Sequence, residues 1–343
     1  MKAVVFDRHG GLEVLQYRDV PDPQLAADEV LVRVRACALN HLDIWVRQGT
    51  PGLTVPLPHI TGSEIAGDVA AVGAGVKRVK VGDRVLISPG WNCGECEFCR
   101  VGDESQCLHF KIVGAQVNGG YAELAKAPER YIIPIPGDLS YEEIAAVPLV
   151  FTTAWHMLIT RARLRAGESV LVLAAGSGIG SAAVQVAKLA GARVLATASS
   201  DEKLQRAKEL GADVLINYSS ANFAEEVLRH TDRRGVDVVF EHVGPATFHL
   251  SLQSLKRGGR LVTCGATTGP KAEFDIRYLF AKQLSIIGSM MGTRAELLTI
   301  LDLVAQRRLR PVIDRVLPLS QAAEAQRLMM ERNHFGKLLL RPE

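Results

Sequence analysis

The sequence is poor in the features that mark nucleic-acid and membrane proteins. Its 40 Lys and Arg are nearly balanced by 37 Asp and Glu, which leaves a formal charge of +3, and it contains no basic block. A surplus this small argues against a nucleic-acid partner. The longest uncharged stretch, residues 169–187, is broken by glycines in its middle. We therefore expect a strand, a tight turn and a helix there, and no membrane span.

The amino-terminal residues also lack the pattern of a secretory signal. Lys2, Asp7 and Arg8 interrupt the apolar run before it reaches the length of a signal-peptide core, so we expect a cytoplasmic protein. A chain of 343 residues with 48% hydrophobic and 22% charged residues has the composition of a globular protein. Its length exceeds one ordinary core, which predicts two domains or one large α/β unit.

Cysteine is scarce, but its distribution is uneven. Four of the six cysteines are clustered at Cys93, Cys96, Cys99 and Cys107. This spacing lets four thiolates surround one ion and predicts a closed, structural zinc site. Free thiols, redox disulfides and an iron–sulfur cluster are the alternatives, although a bacterial ferredoxin run has a shorter last gap and a Pro after it, where Leu108 stands here.

Two patterns of hydrophobicity divide the chain. Up to about residue 130, short alternating runs such as residues 29–35 predict a β-rich region. From about Leu164, continuous Val, Leu and Ile runs alternate with helical segments, which is typical of a parallel sheet covered on both faces. The tail beyond about Arg310 returns to short strands and one helix, and we expect it to rejoin the first region. The sequence thus predicts an irregular β domain and a doubly wound α/β domain.

A run of small residues follows the first strand of the α/β region. Gly176, Ser177, Gly178, Ile179 and Gly180 stand between a buried run and a helix, and a second strand follows. Small residues let the backbone approach a pyrophosphate, and the helix N-terminus offers free N–H groups and a positive dipole end. The segment predicts a dinucleotide site. A βα turn without ligand is the alternative, because the first two positions of the strict glycine motif are not glycine.

The end of the second strand bears on the choice of cofactor. NAD enzymes usually place an acid there to bind the ribose 2′-OH, whereas small residues including Ser199 stand there in this chain. Ser199 with Lys203, one turn into the next helix, favours the 2′-phosphate of NADPH. Asp201 argues for NAD, although it also fits a first-turn helix charge, and Ser199 with Glu202 fits a capping box.

Together these features resemble the medium-chain dehydrogenase/reductase superfamily. Residues 82–85 read G-D-R-V and residues 119–123 read G-G-Y-A-E, as in that family. The resemblance implies an α/β protein with a GroES-like catalytic domain at residues 1–130 and 290–343, which carries the zinc lobe at about 91–110. It implies a Rossmann domain at residues 131–289 and an active site in the cleft between the two domains.

One branch of the family, the zinc alcohol dehydrogenases, holds a catalytic zinc with a Cys, the His of a G-H-E motif and a third Cys or acid. Cys37 matches the first ligand, but the motif reads Gly62-Ser63-Glu64, and Leu149 stands at the third position. An improvised site that joins Cys37 and Glu64 with His41 or His59 stays open. The alternative is that Cys37 is a small buried hydrophobe.

The other branch contains the zinc-free quinone oxidoreductases and enone reductases. Residues 39–47, L-N-H-L-D-I-W-V-R, resemble their L-N-P-V-D-x-Y-x-R signature, and residues 145–154 resemble their A-A-x-x-P-L…T-A segment. By this resemblance Lys203 and Tyr218 hold the 2′-phosphate. By the same resemblance Thr153 and Gly265 lie near the nicotinamide. These relatives mostly lack the four-cysteine lobe, so the chain combines features of both branches.

The favoured chemistry is NADPH-dependent hydride transfer to a quinone or another conjugated carbonyl compound without a catalytic zinc. Negative charge develops on the substrate oxygen, and Asn40 and His41 are the nearest hydrogen-bond donors by sequence. His41 also suits return of the proton, and Asp43 is expected to orient them or to cap the following helix. The alternatives are a zinc-dependent alcohol dehydrogenase and an NADPH-binding redox sensor or structural protein without turnover.

The expected partner is a small-molecule substrate that the sequence does not identify. Residues 284–291 predict a strand at a sheet edge that pairs with a second subunit, as in dimers of the family. We therefore expect a homo-oligomer, a dimer or tetramer, although an unpaired edge fits the same residues.

Overall fold

The computed structural model describes residues 1–50 and 52–343. The chain divides into two units, Met1–Leu149 with Leu297–Glu343, and Val150–Glu296. The expected domain boundary near residue 130 lies inside the first unit, because the helix Tyr141–Ala145 packs against strands of the first sheet. Among the described residues, none of the helices combines the length and apolarity that a membrane crossing needs.

The strands alternate with turns in the first unit and with helices in the second. In chain order, β1 to β17 are Lys2–Val5, Gln16–Asp19, Glu29–Ala38, Glu64–Val72, Arg84–Ile87, Gly90–Trp91, Lys111–Ile112, Leu124–Pro128, Ile132–Pro134, Ser169–Val172, Arg193–Ala198, Val214–Asn217, Val236–Glu241, Leu255–Thr263, Ser285–Gly288, Ile313–Pro318 and Lys337–Arg341. The helices α1 to α11 are His41–Gln48, Glu97–Arg100, Tyr141–Ala145, Val150–Trp155, Gly178–Leu189, Asp201–Glu209, Phe223–Arg229, Pro245–Gln253, Ile276–Ala281, Arg294–Ala305 and Ala322–Met330.

The first unit is built on a seven-stranded sheet with the order β16-β17-β3-β4-β5-β9, in which β8 also pairs with β3. Along β3, Val30, Val32 and Val34 are buried, whereas Arg33 and Arg35 are exposed. This alternation explains why the segment is a strand with one face on the core. The tail returns to this sheet, and its strand β17 pairs antiparallel with β3.

The second unit is a six-stranded parallel sheet with the order β12-β11-β10-β13-β14-β15. The central strand β10 is apolar on both faces, with Val170, Leu171 and Val172 all fully buried. The direction in which strands are added reverses between β10 and β13, and ligands bind outside the carboxyl ends of the strands at such a reversal. The strand β15 lies at one edge of the sheet.

The start of α6 corrects one detail of the sequence interpretation. Its N-cap is Ser200, whose side chain accepts a hydrogen bond from Lys203 N, so the capping box assigned to Ser199 is wrong. The reason is that Ala198 still pairs with Asn217 in the sheet, and Ser199 O accepts a hydrogen bond from Ser219 Oγ at 2.9 Å. The N-cap therefore lies one residue later than this capping box places it.

Candidate functional sites

The four clustered cysteines converge in a lobe between β6 and β7. The Sγ atoms of Cys96 and Cys99 lie 3.5 Å apart, those of Cys93 and Cys107 lie 3.6 Å apart, and those of Cys93 and Cys99 lie 3.9 Å apart. Four sulfurs at about 2.3 Å from a tetrahedral zinc lie about 3.8 Å from one another. The donor set therefore fits a structural zinc.

Backbone N–H groups face these sulfurs. Cys96 N donates to Cys93 Sγ at 3.3 Å, and His109 N donates to Cys107 Sγ at 3.4 Å. Backbone N–H groups also lower the pKa of Cys96 to about 6, whereas burial and then the neighbouring thiols raise the pKa of Cys99 to about 12. Four thiolates this close together repel one another. A bound cation offsets this repulsion and favours the deprotonated form that coordinates it.

The glycine-rich turn joins β10 to α5. Ser177 is the N-cap of α5, and its Oγ accepts a hydrogen bond from Gly180 N at 2.9 Å. A Cβ added to Gly180 would lie 2.3 Å from Ala174 O, so the close packing of helix on turn requires glycine here. The remaining predicted residues of this segment lie in the same turn and first helical positions, namely Gly176, Gly178 and Ile179.

The residues predicted at the 2′-phosphate lie at one end of the sheet. The pairing of Ala198 with Asn217 places Ser199 and Tyr218 side by side beyond the ends of β11 and β12. Lys203 lies in the first turn of α6, which follows directly. The structure thus brings the three predicted residues to the carboxyl end of neighbouring parallel strands.

The nearby acid has a partner of its own. Asp201 Oδ1 accepts a hydrogen bond from Asn217 Nδ2 at 2.9 Å. The first residue after β11 is Ser199, which is not an acid. Asp201, two positions later, ties the start of α6 to the end of β12.

The two residues predicted near the nicotinamide both belong to the second unit. Thr153 lies in α4 and is 4% exposed, and its Oγ1 has no hydrogen-bond partner among the described residues. Gly265 follows β14, and a Cβ added to it would lie 2.9 Å from His242 O. A buried hydroxyl without a partner fits a position where a ligand supplies the missing bond.

In the first unit, Asn40, Glu64 and Lys337 form a buried polar cluster that we name the Glu64 network. Lys337 Nζ lies 2.6 Å from Glu64 Oε2 and 2.8 Å from Asn40 Oδ1, and Asn40 Nδ2 donates to Glu64 Oε2 at 3.0 Å. The second carboxylate oxygen of Glu64 accepts a hydrogen bond from Leu149 N at 2.6 Å. Both oxygens of Glu64 are therefore engaged.

Asp43 lies at the start of α1 and is fully buried. Its Oδ2 accepts hydrogen bonds from Asn40 N at 2.8 Å and Tyr121 Oη at 3.1 Å, and its Oδ1 accepts one from Thr61 Oγ1 at 2.9 Å. Burial raises the pKa of Asp43 and outweighs these bonds. The contacts are those of a residue that caps α1 and fixes the segment that carries Asn40.

The other candidates for a second metal site are dispersed. Cys37 is fully buried in β3, and burial raises the pKa of its thiol well above the ordinary value. The His41 ring lies edge-on to Trp45 with centroids 5.2 Å apart, and His59 Nε2 lies 3.1 Å from Gly114 O. Within residues 1–50 and 52–343, the four-cysteine cluster is the single group of three or more Cys, His, Asp or Glu donors that converges as a metal site requires.

Comparisons with known proteins agree with both units. Residues 26–137 match the family of alcohol dehydrogenase GroES-like domains, and residues 178–306 match the zinc-binding dehydrogenase family. The chain is 37% identical over 318 residues to an alcohol dehydrogenase of Geobacillus stearothermophilus, which covers 92% of this chain and 91% of that protein. The chain belongs to the medium-chain dehydrogenase/reductase superfamily.

Relatives in this superfamily have different names. An acryloyl-coenzyme A reductase of Sulfurisphaera tokodaii is 32% identical over 345 residues, which covers all of both chains. A crystal structure described as an NAD-dependent alcohol dehydrogenase is 46% identical, with a TM-score of 0.96 and 99% of each chain covered. This chain is therefore an NAD(P)-dependent oxidoreductase of that superfamily that acts on a small molecule.

Sequence reasoning missed Lys337 in this dehydrogenase/reductase. Lys337 is 3% exposed, and it joins the Glu64 network because β17 pairs with β3. The signal in the sequence is a lysine directly before Leu338, Leu339 and Leu340, which are all buried. A charge in such a run is expected to have a buried partner of opposite sign.

Proposed function

We propose that the chain is an NADPH-dependent reductase that transfers hydride to a conjugated carbonyl compound at a centre without a catalytic zinc. The observation that carries this proposal is the Glu64 network. In the region where the zinc branch holds its catalytic zinc, the Glu64 carboxylate could act as an anionic ligand. The ammonium group of Lys337 already neutralises the charge of this carboxylate. A buried carboxylate that is paired and hydrogen-bonded in this way is a poor metal ligand.

The state of Cys37 supports the same proposal. The thiolate is the form that binds metal, and burial together with the charges of Asp43 and Glu64 favours the neutral thiol of Cys37. The zinc branch requires a Cys, the His of a G-H-E motif and a third Cys or acid, but Ser63 and Leu149 stand at the second and third of these positions.

Asn40 is the proposed donor to the substrate oxygen. Lys337 Nζ can only donate, so the Asn40 atom that it contacts is the carbonyl Oδ1, and the amide nitrogen faces Glu64. One of the two Nδ2 hydrogens is bonded to Glu64, and we assign the second to the developing oxyanion. Asp43 is a positioning residue in this scheme, and His41 is the proposed source of the proton.

Cofactor binding is assigned to the second unit. The glycine-rich turn and the N-terminus of α5 receive the pyrophosphate, and Ser199, Lys203 and Tyr218 hold the 2′-phosphate. Thr153 and Gly265 are assigned to the nicotinamide end. When bound, the cofactor supplies hydride from its C4 position, and the protein contributes position and charge stabilisation.

The acryloyl-coenzyme A reductase among the relatives supports a conjugated carbonyl compound as the substrate class. An enoyl thioester is a conjugated carbonyl compound, and reduction places negative charge on its carbonyl oxygen, which suits an amide donor. We therefore place enoyl thioesters before quinones as substrates to test.

The test is a panel of NADPH-dependent reductions with acryloyl-CoA, a quinone and a simple enone, with NAD-dependent alcohol oxidation measured in parallel. Reduction of acryloyl-CoA, the quinone or the enone with consumption of NADPH supports the proposal. Asn40→Ala should lower kcat for that substrate about a hundredfold, the loss typical of one oxyanion donor, with little change in NADPH affinity. Asn333→Ala, on an exposed surface, is the matched control. Lost NADPH binding in Asn40→Ala would overturn the role of Asn40.

The second candidate function is a zinc-dependent alcohol dehydrogenase. It is favoured by the 46% identity to a structure described as an NAD-dependent alcohol dehydrogenase. Alcohol oxidation that requires a second zinc per chain would select it. An NADPH-binding protein without turnover on any of these compounds would correspond to the redox sensor or structural protein.

We propose that the protein is cytoplasmic and forms a homo-oligomer. The strand β15, at the edge of the parallel sheet, is the proposed contact of a homo-oligomer, and sedimentation of wild type against Ile286→Lys tests it.

A further inference from the structure

Two side chains from outside the four-cysteine lobe contact the residue that precedes its first ligand. Arg130 and Tyr131 lie directly before β9, which pairs with β5 in the first sheet. Tyr131 is 5% exposed. Its Oη accepts a hydrogen bond from Asn92 N at 3.0 Å and donates one to Asn92 O. Arg130 Nη2 also donates to Asn92 O, at 3.0 Å. We name Arg130 and Tyr131 the Asn92 clamp.

The ring of Tyr131 also packs against the base of the lobe. It stacks on the ring of Trp91 with the centroids 5.0 Å apart and an angle of 6° between the planes. Trp91 Nε1 donates to Ser88 O at 3.1 Å, and Ser88 N donates to Tyr131 O at 2.8 Å. Trp91 is paired with Lys111 where β6 and β7 close the base of the lobe. The Asn92 clamp therefore joins the lobe to the core sheet of the first unit.

Arg130 brings a positive charge to the cysteine cluster. A Cβ added to Gly94 would lie 3.6 Å from Arg130 Nη1, so the guanidinium lies against the turn between Cys93 and Cys96. Residues 93–107 contain four acidic residues and one basic residue. Because four thiolates outnumber the two positive charges of a zinc ion, the metal-loaded lobe is negative. Arg130 offsets part of this charge, although its exposure to solvent keeps the effect small.

The contacts of the Asn92 clamp bear on metal binding because the lobe is expected to fold with its metal. Asn92 is followed directly by the ligand Cys93, whose N donates to Cys107 Sγ at 3.3 Å. Where the folding of a segment is coupled to metal binding, a contact made only in the folded segment adds its free energy to the metal affinity. The hydrogen bonds between Tyr131 and Asn92 are contacts of this kind.

We propose that Tyr131 and Arg130 are positioning residues of the zinc site. Tyr131 holds the peptide groups of Asn92 so that Cys93 is placed for coordination, and Arg130 offsets the negative charge of the metal-loaded lobe. Neither residue is a ligand. The inference rests on a structural zinc in the lobe and is independent of the reaction that the enzyme catalyses.

The test is competition for zinc between the purified full chain and a chromophoric chelator of known affinity. Tyr131→Phe keeps the ring on Trp91 and removes both hydrogen bonds to Asn92. It should raise the Kd for zinc about tenfold, the value of two neutral hydrogen bonds. Tyr141→Phe is the matched control, because it removes the hydrogen bond from Tyr141 Oη to Asp68 in the same unit. Its Kd for zinc should equal that of wild type.

The charge of Arg130 is tested by its salt dependence. Arg130→Gln should raise the Kd for zinc about two- to fivefold at low ionic strength, the range for an exposed charge pair, and this difference should shrink at about 1 M salt. Arg130→Lys keeps the charge and should recover part of the affinity at low salt. Arg33→Gln, exposed on β3, is the control and should bind zinc as wild type does. An equal Kd in Arg130→Gln and wild type would overturn the role of Arg130.

An equal Kd in Tyr131→Phe and wild type, or an equal rise in Tyr141→Phe, would overturn the inference while the zinc site and the proposed function stand. Wild type that binds no zinc would overturn both the zinc site and the inference. If Tyr131→Phe fails to fold, hydrogen exchange of wild type decides. The Asn92 amide should be protected with zinc and exchange freely after chelation, and equal protection in both states contradicts the inference.

Discussion

The four-cysteine lobe and the Glu64 network are two clusters of potential metal ligands in one unit, and they are built in opposite ways. In the lobe, four sulfurs converge within 4.8 Å of one another. In the Glu64 network, an ammonium group lies 2.6 Å from the carboxylate. The difference shows that ligand-type residues make a metal site only when nothing in the protein already satisfies them.

The energetics of the two clusters differ for the same reason. The lobe needs an external cation, so its stability depends on metal binding. The Glu64 network is neutral by itself, and its cost is the desolvation of two charges, which only complete hydrogen bonding offsets. Removing Lys337 or Glu64 should therefore destabilise the Glu64 network, whereas removing the metal should destabilise the lobe alone.

The largest expected effect is on the lobe. Cys99→Ser, or chelation of wild type, should reduce bound zinc from about one per chain to near zero and unfold residues 91–110 locally, because structural zinc contributes about 10 kcal/mol or more in small domains. Hydrogen exchange and metal analysis measure both changes. Cys264→Ser, outside the lobe, should keep its zinc. Full protection of residues 91–110 without metal would contradict the assignment.

The next effect tests the network. Lys337→Met leaves Glu64 buried without its charge partner and should destabilise the protein by about 3–5 kcal/mol in chemical denaturation. The double variant Lys337→Met with Glu64→Gln should recover part of this loss, because it removes the uncompensated charge. A loss below about 1 kcal/mol in the single variant would show that the pair is not buried as a unit.

A smaller effect is expected at the cofactor end of the second unit. Lys203→Ala should raise the Kd for NADPH about tenfold to a hundredfold, the range for hydrogen bonds to charged groups, and leave the Kd for NADH unchanged. Lys208→Ala, exposed on the same helix, is the control. Equal losses for NADPH and NADH would remove Lys203 from the 2′-phosphate site.

The smallest effect is expected for the ion pair of Lys126 with Glu29, which is more exposed than the buried pair of Lys337 with Glu64. Lys126 Nζ lies 2.7 Å from Glu29 Oε2, but the lysine side chain is 39% exposed. Lys126→Met should therefore cost at most about 1 kcal/mol in chemical denaturation. A cost as large as that of Lys337→Met would mean that burial does not distinguish the two pairs.

Local sequence patterns predicted the parts of the molecule that depend on neighbours along the chain. The four cysteines lie close in sequence, and their spacing alone brings them together. The glycine-rich turn between β10 and α5 likewise depends on small residues and a helix start. The fold class of each unit followed from the period of its hydrophobic residues.

The missed contacts join residues far apart in the chain. Lys337 reaches Glu64 only because the tail adds β17 to the sheet beside β3, and no local pattern specifies that partner. The hydrogen bond between His242 Nε2 and Leu173 O, at 3.0 Å, depends in the same way on the pairing of β10 with β13. The Ser199 cap was misplaced by one residue because sheet pairing extends the strand.

The most direct test of the central claim is zinc quantification with X-ray absorption at the zinc edge on the purified full chain. We predict one zinc per chain with four sulfur ligands. A second zinc, bound by one sulfur with nitrogen or oxygen ligands and lost in Cys37→Ala, would contradict a reduction centre in which no metal holds the reacting oxygen.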